Sequence, residues 1–206
     1  MPAPLEQFAN ALRLAAPEFG IELDDDRIRK LTEYYQLLLK WNPRLHLVAP
    51  CPPEEFATRH VLESLMLLRH LPLDANVVDI GSGGGLPIVP CLLVRDDLYA
   101  TLIESSSNKA VFLNAALRDI RPSGRARVVV ERFEKVEAHD AGFVTCRALE
   151  KFAEAISIII KWASPDATFL LFVGEKLRAE IESHLKSVLV ERLPRSEARF
   201  LIIGHA

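Results

Sequence analysis

The segment that most restricts the fold is Val77-Val78-Asp79-Ile80-Gly81-Ser82-Gly83-Gly84-Gly85-Leu86-Pro87, a short apolar run that passes directly into a glycine-rich turn. Four glycines in five positions carry a backbone-entropy cost that a tight turn alone does not require, and they let the main chain approach a ligand closely. A second apolar run, 99–103, leads into Glu104, about 20 residues past the last glycine, the separation that ribose-binding acids keep in such folds. Strand, glycine turn and an acid at the next strand end predict a doubly wound α/β domain that holds the nucleoside part of a cofactor.

The spacing narrows the cofactor. Glycines fall at Gly81, Gly83 and Gly85, but the position where the dinucleotide fingerprint G-x-G-x-x-G has its third glycine is Leu86. A pyrophosphate has to rest on bare N–H groups at a helix start, whereas a phosphate-free ligand such as S-adenosylmethionine needs only close approach. The loop therefore points to a methyltransferase, with a nicotinamide-dependent oxidoreductase as the most distant alternative. Phe133-Glu134 follows the third body run, on a loop expected beside the glycine turn, and is assigned to contact with the adenine. Arg147 leaves the fourth run at the same carboxyl edge, where open α/β sheets place ligands, and is assigned to the cleft floor.

Around this motif the apolar runs 77–80, 99–103, 127–130, 143–146, 167–173 and 199–203 alternate with helical stretches 87–94, 107–120, 149–162 and 175–187. Such alternation predicts a mostly parallel sheet covered by helices on both faces. No helix separates 188–193 from the last run, so an antiparallel edge hairpin is expected. Residues 1–72 read as a helical extension and 73–206 as a Rossmann-like domain. Leu5, Phe8, Leu12 and Ala15 recur at helical spacing. A second helix opens at the N-cap Asp24, carries Ile28, Leu31, Tyr35, Leu38 and Trp41 on one face, and is expected to close at Pro43. A third is expected behind Pro52-Pro53, ending near His70. With no long linker after it, the extension should pack on the body.

At 206 residues and 50% hydrophobic content, the chain can bury one substantial core. A formal net charge of -3 means that a nucleic-acid partner has to be met by a local basic face. Cys51, Cys91 and Cys146 lack C-x-x-C spacing and their odd number closes no disulfide framework, so reduced thiols and no metal site are expected. The start MPAPLEQFAN has no basic-then-apolar signal, and the run 156–162 is broken by Lys161 and too short to span a bilayer. A soluble, cytoplasmic monomer without a membrane partner is expected. No Ser/His/Asp set, H-x-x-x-H pair or P-loop supports a hydrolase. Trp41 reads as core, Arg59 and Glu63 as a pair one helical turn apart, and His60 as a packed neutral imidazole.

Taken in order, Lys40-Trp41-Asn42, then Arg59-His60 with Leu62-Glu63-Ser64, then 77–87, then Leu102-Ile103-Glu104-Ser105 with Asn108-Lys109 and Phe112-Leu113, then Cys146-Arg147-Ala148 follow one pattern. It closely resembles the bacterial glucose-inhibited-division-B family, the small-subunit ribosomal RNA guanine-N7 methyltransferases, over residues 24–160. The resemblance implies a class I S-adenosylmethionine-dependent methyltransferase with an N-terminal helical extension, acting on ribosomal RNA or the small ribosomal subunit. It places cofactor contacts on Gly81, Leu86, Phe133, Glu134 and Arg147, with Glu104 as the ribose acid in place of the more usual aspartate. Arg59, His60 and Lys109 are assigned to the substrate side. The chain departs from the family pattern at Gly84, where proline is usual, and at Ile88, Gly142, Cys146 and Val173. A methyltransferase acting on a small molecule or another RNA, and a noncatalytic ribosome-associated module, share the same motifs.

Guanine N7 is an in-plane lone pair outside Watson–Crick pairing and needs no deprotonation before it attacks a methyl group. No catalytic base is therefore expected. Holding the reactants in line is worth about 7–11 kcal/mol, more than a base adds to a nucleophile already free. Candidate RNA-facing cations are Arg44, Arg59, Arg69, Lys109, Arg118 and Arg121.

Overall fold

The computed structural model describes residues 3–120, 125–137, 141–147 and 152–205. Arg121, Ala148 and the first residues of the helix expected from 149 lie outside these. Strands β1 (Asn76–Ile80), β2 (Tyr99–Ile103), β3 (Ala126–Val129), β4 (Phe143–Arg147) and β5 (Thr168–Gly174) run parallel. β6 (Lys186–Arg192) and β7 (Arg199–His205) form the antiparallel hairpin that the helix-free stretch predicts, with β7 lying between β5 and the edge strand β6. The seven strands make one sheet in the order β3-β2-β1-β4-β5-β7-β6.

The order reverses at β1, and ligands of open α/β sheets bind outside the carboxyl ends of the strands at such a reversal. Register then fixes what meets there. Ile80 stands opposite Ile103 on one side and Cys146 on the other, so Gly81, Glu104 and Arg147 come next on three adjacent strands.

Four helices follow strands: α5 (Ile88–Val94), α6 (Ser107–Ile120), α7 (Phe152–Trp162) and α8 (Glu175–His184). The extension supplies α1 (Pro4–Ala15), α2 (Asp25–Leu45) and a third helical rod. α2 begins as expected, with the Asp24 carboxylate accepting from the Arg27 N–H at 2.8 Å. It does not close at Pro43: it runs to Leu45 and ends where His46 adopts φ 49. A proline so near the C-terminus removes only one hydrogen bond, to the carbonyl of Leu39, a residue exposed enough for water to replace it. The rod is less regular than its pattern suggests. α3 (Pro53–Glu55) passes into a π-helical stretch, Phe56–Leu62, then α4 (Glu63–Leu65) and a 3-10 turn, Met66–Arg69.

The extension packs on the body, as the missing linker predicts. Phe8, Leu12, Tyr34, Leu38, Phe56 and Leu62 share one buried cluster with Leu92, Leu102 and Phe112. Trp41 is only half-buried, its indole meeting the Phe112 ring edge-on at 6.1 Å. The opposite face of the sheet has its own cluster, including Val78, Ile80, Val144 and Phe169 against Ile156 and Ile159 of α7. Arg95 closes the junction below, donating to the carbonyls of Leu71 and Pro72 at 2.6 and 2.8 Å. Among the described residues no helix is long and apolar enough to cross a membrane, and no three His, Cys, Asp or Glu side chains are grouped to hold a metal ion.

Candidate active site

The glycine turn is built by positive backbone angles. Gly81, Gly83 and Gly85 have φ of 70, 53 and 85, which side chains with a Cβ rarely adopt. Gly84 does not. A Cβ on Gly83 would approach only the Gly81 carbonyl, at 3.7 Å, so this residue offers a bare face to the cleft. Gly85 faces the other way: a Cβ there would lie 2.5 Å from Val89 Cγ2. Its role is helix packing behind the loop, and it does not line the cavity.

That cavity, of about 580 Å³, is walled by Gly81, Gly83, Leu86, Glu104, Arg147, His60 and Lys109 among others, bringing seven of the expected residues together. A second, of about 360 Å³, is lined by Phe133 and Glu134 and shares Gly81 and Ser105 with the first. The two are lobes of one cleft across the end of β1. Phe133 is nearly buried, edge-on to Trp162 at 5.8 Å, and Glu134 is paired with Arg132 at 2.9 Å.

Glu104 stands at the junction, held by the main chain on both sides. One oxygen accepts from Gly83 N–H and the other from Ser106 N–H, each at 2.8 Å. A carboxylate has about four acceptor positions, so each oxygen retains one for a further donor. Two hydroxyls on adjacent carbons match that pattern.

Beneath the loop, Asp79 is fully buried, and neither carboxyl oxygen has a hydrogen-bond partner. Burial pushes its pKa up to about 8 and the Glu104 charge adds to it; the nearby Ser82 hydroxyl pulls the other way, although it donates to the Asp79 main-chain carbonyl at 3.0 Å and leaves the carboxyl unpaired. Sheet alternation puts Asp79 on the face of Val77, toward the extension. There the buried Tyr34 hydroxyl donates to the Gly84 carbonyl at 2.5 Å, tying α2 to the turn.

Arg147 is anchored from the extension as well. Its guanidinium donates to Glu63 at 2.9 Å and to the Arg59 carbonyl at 2.5 Å, and lies 5.0 Å over the Phe172 ring. The other Glu63 oxygen takes Arg199 of β7 at 2.7 Å. Glu63 is 1% exposed, so one buried carboxylate serves two arginines. The expected Arg59–Glu63 pair is absent: Arg59 turns back to Glu55 at 2.9 Å and away from the cavity. Both Glu63 oxygens are taken by Arg147 and Arg199, so Arg59 pairs with the other carboxylate four residues away, Glu55. His60 is neutral, as expected. Burial and the surrounding Arg147, Arg59 and Arg199 charges push its pKa down to about 3.

Tyr34 and the bridging role of Glu63 are the site residues that sequence reasoning did not assign. The only signal for Tyr34 is a second aromatic beside Tyr35 in an apolar helix. Glu63 was read through its nearest basic neighbour in sequence.

Comparison with known proteins agrees with this geometry. The family model described as rRNA small subunit methyltransferase G matches residues 27–203. A ribosomal RNA small subunit methyltransferase G of Xanthomonas campestris is 36% identical over 160 residues, 77% of this chain and 74% of that one. The Paracoccus denitrificans protein of the same name is 33% identical over 153 residues, 74% and 79% of the two chains. Among solved structures, M. jannaschii TYW2 in complex with AdoMet superposes with a TM-score of 0.53 at 14% identity, covering 71% of this chain and 76% of that one. The B. subtilis M1A22 tRNA methyltransferase TrmK gives 0.54 at 11% identity, covering 72% and 66%. At such identities the likeness is one of fold, the class I methyltransferase sheet with its helices.

Proposed function

The chain belongs to the rRNA small subunit methyltransferase G family, and we propose that it methylates N7 of a guanine in small-subunit ribosomal RNA. It is an S-adenosylmethionine-dependent enzyme, and when bound the cofactor supplies a methyl group on a positively charged sulfur.

The residues present fit that ligand. Glu104 keeps one acceptor on each oxygen for the ribose hydroxyls, and the bare face of Gly83 admits the adenosyl group against the main chain. The Phe133 lobe has the apolar wall that an adenine requires. Arg147 is a cation on the cavity wall for a ligand carboxylate, and the unpartnered Asp79 carboxyl is buried under the loop, behind that wall, where a bridging water would satisfy it. Glu104 in its two-sided main-chain clamp is the observation that carries the reading.

His60 and Lys109 flank the rest of the larger lobe and are assigned to the target base. His60 is already neutral and surrounded by cations, so it offers a ring nitrogen for hydrogen bonding and does not store a proton. Guanine N7 needs no base; the protein's work is to hold the two reactants in line. Residues 1–72 act in this reading as part of the site, through Tyr34 and Glu63, and the protein works as a cytoplasmic monomer. The test is methyl transfer from labelled cofactor to small-subunit RNA, naked and assembled, with mapping of the modified nucleotide. Label at guanine N7 supports the proposal; label at another atom, or none on either RNA form with cofactor bound, overturns it.

A further inference from the structure

We propose that the groove between the C-terminal third of α2 and the outer face of α6 is the track along which the RNA backbone reaches the cleft; this rests on the ribosomal RNA reading above. The two helices pack side by side, Trp41 against Phe112. On α2, Lys40 and Arg44 are exposed one turn apart, on the side of the helix that carries Trp41. On α6, Asn108, Val111 and Arg118 are exposed along the facing edge. Lys40 lies across the groove from Asp119, whose carboxyl is held below its usual range first by its Arg118 partner at 2.7 Å and then by Lys40. Asp119 is the one acid among the described residues that α6 exposes, and from residue 36 onward α2 exposes none.

The strip ends at the site. Leu47 and Val48, just past the end of α2, and Lys109, in the first turn of α6, all wall the larger lobe. Lys40, Arg44, Arg118 and Lys109 thus form a cationic line leading into the cavity. The chain as a whole carries a net charge of -3, so this local face supplies the attraction that global charge does not. Phosphate contacts position a nucleic acid without reading its bases, which suits a surface that must deliver one guanine into a fixed pocket. Of the other cations considered from sequence, Arg59 pairs with Glu55 and Arg69 with Glu191 at 3.8 Å, and Arg121 lies outside the described residues.

The experiment measures binding of a small-subunit ribosomal RNA transcript across a salt series for the wild type, for Lys40→Ala/Arg44→Ala, and for Lys161→Ala/Lys186→Ala on the far side and edge of the sheet. Each lost phosphate contact lowers the slope of log affinity against log salt by about 0.7–0.9. The groove variant should therefore lose about 1.4–1.8 in slope, while its S-adenosylmethionine affinity and the slope of the control variant stay unchanged. A groove variant with the wild-type slope overturns the proposal and leaves the enzyme reading intact. Wild-type binding to naked RNA with weakened binding to assembled subunits would mean a ribosomal protein partner, which also overturns it. A wild type that neither binds nor methylates the RNA removes both readings.

Discussion

Glu63 carries the sharpest quantitative test, because one buried carboxylate holds two arginines from strands far apart in sequence. Glu63→Gln keeps the shape but replaces one acceptor oxygen with a donor. Both guanidiniums bring donors only, so one of them faces an amide nitrogen it cannot pair with. Removing one partner of a buried ion pair costs about 3–5 kcal/mol. Arg147 is 12% exposed and stays in place, but Arg199 is 33% exposed and can turn to water. That puts the expected loss at the lower end, about 3 kcal/mol. For a chain of this length each kcal/mol moves Tm by about 2–4 °C, so the midpoint should fall by about 6–12 °C. Calorimetric unfolding reads the midpoint, and titration with S-adenosylmethionine at a temperature where the variant is folded reads the site. Cofactor affinity should weaken, since Arg147 keeps only a neutral amide oxygen in place of its charged partner. A cycle pairing Glu63→Gln with Arg147→Met should be non-additive by about 0.5–3 kcal/mol. A variant with wild-type Tm and cofactor affinity, or an additive cycle, would refute the bridging role.

Gly85→Ala should destabilise by about 1–3 kcal/mol through its left-handed backbone alone, with the 2.5 Å approach to Val89 adding to that, whereas Gly84→Ala, at ordinary contact distance from Leu47, should be tolerated; urea unfolding separates them. Tyr34→Phe strands the Gly84 carbonyl and should cost about 1–3 kcal/mol, with weaker cofactor binding by calorimetry. Asp79, raised from 3.8 to about 8, binds its proton more tightly when folded and lowers stability as pH rises through that window. His60, lowered from 6.5 to about 3, contributes the opposite slope below 6.5. The two oppose each other up to about 6.5, and above it Asp79 alone should lower stability by about 1.4 kcal/mol per pH unit until about 8. Asp79→Asn should remove that fall, and unfolding from pH 6.5 to 8 measures it. The rate of methyl transfer should show no ionisation at the ordinary histidine value, since His60 stays neutral there; a bell-shaped profile centred on it would count against a site without a base.

What the sequence makes legible follows from local physics. Glycines with positive φ, β-branched runs of strand length and the Asp24 cap act within a few residues, so the β1 turn, the alternating sheet and the start of α2 can be read directly. Pro43 shows the limit of a local rule. Proline normally ends a helix, but its effect depends on whether the orphaned carbonyl faces water, and that is set by packing. The π-helical stretch shows a deeper limit. Nothing in Phe56–Leu62 announces the wider turn, and four-residue spacing alone does not decide whether Arg59 pairs with Glu55 or Glu63. The actual partner of Glu63, Arg147, lies 84 residues away, and Arg199 lies 136 away.

The residues that sequence reasoning missed therefore share a physical origin: each joins the extension to the sheet. Tyr34 holds the glycine turn from the extension side, and Glu63 holds Arg147 in place beside it. The turn and Glu104 can be read as a cofactor site because sheet and turn build them together. The order of Arg147 and Gly84 depends on helices that a reader of local motifs would set aside as a separate extension. Were those helices only a support, Tyr34→Phe and Glu63→Gln would lower stability and leave cofactor affinity untouched in the folded protein. The hydrogen bonds place both residues one contact from the cleft, so stability and affinity should fall together.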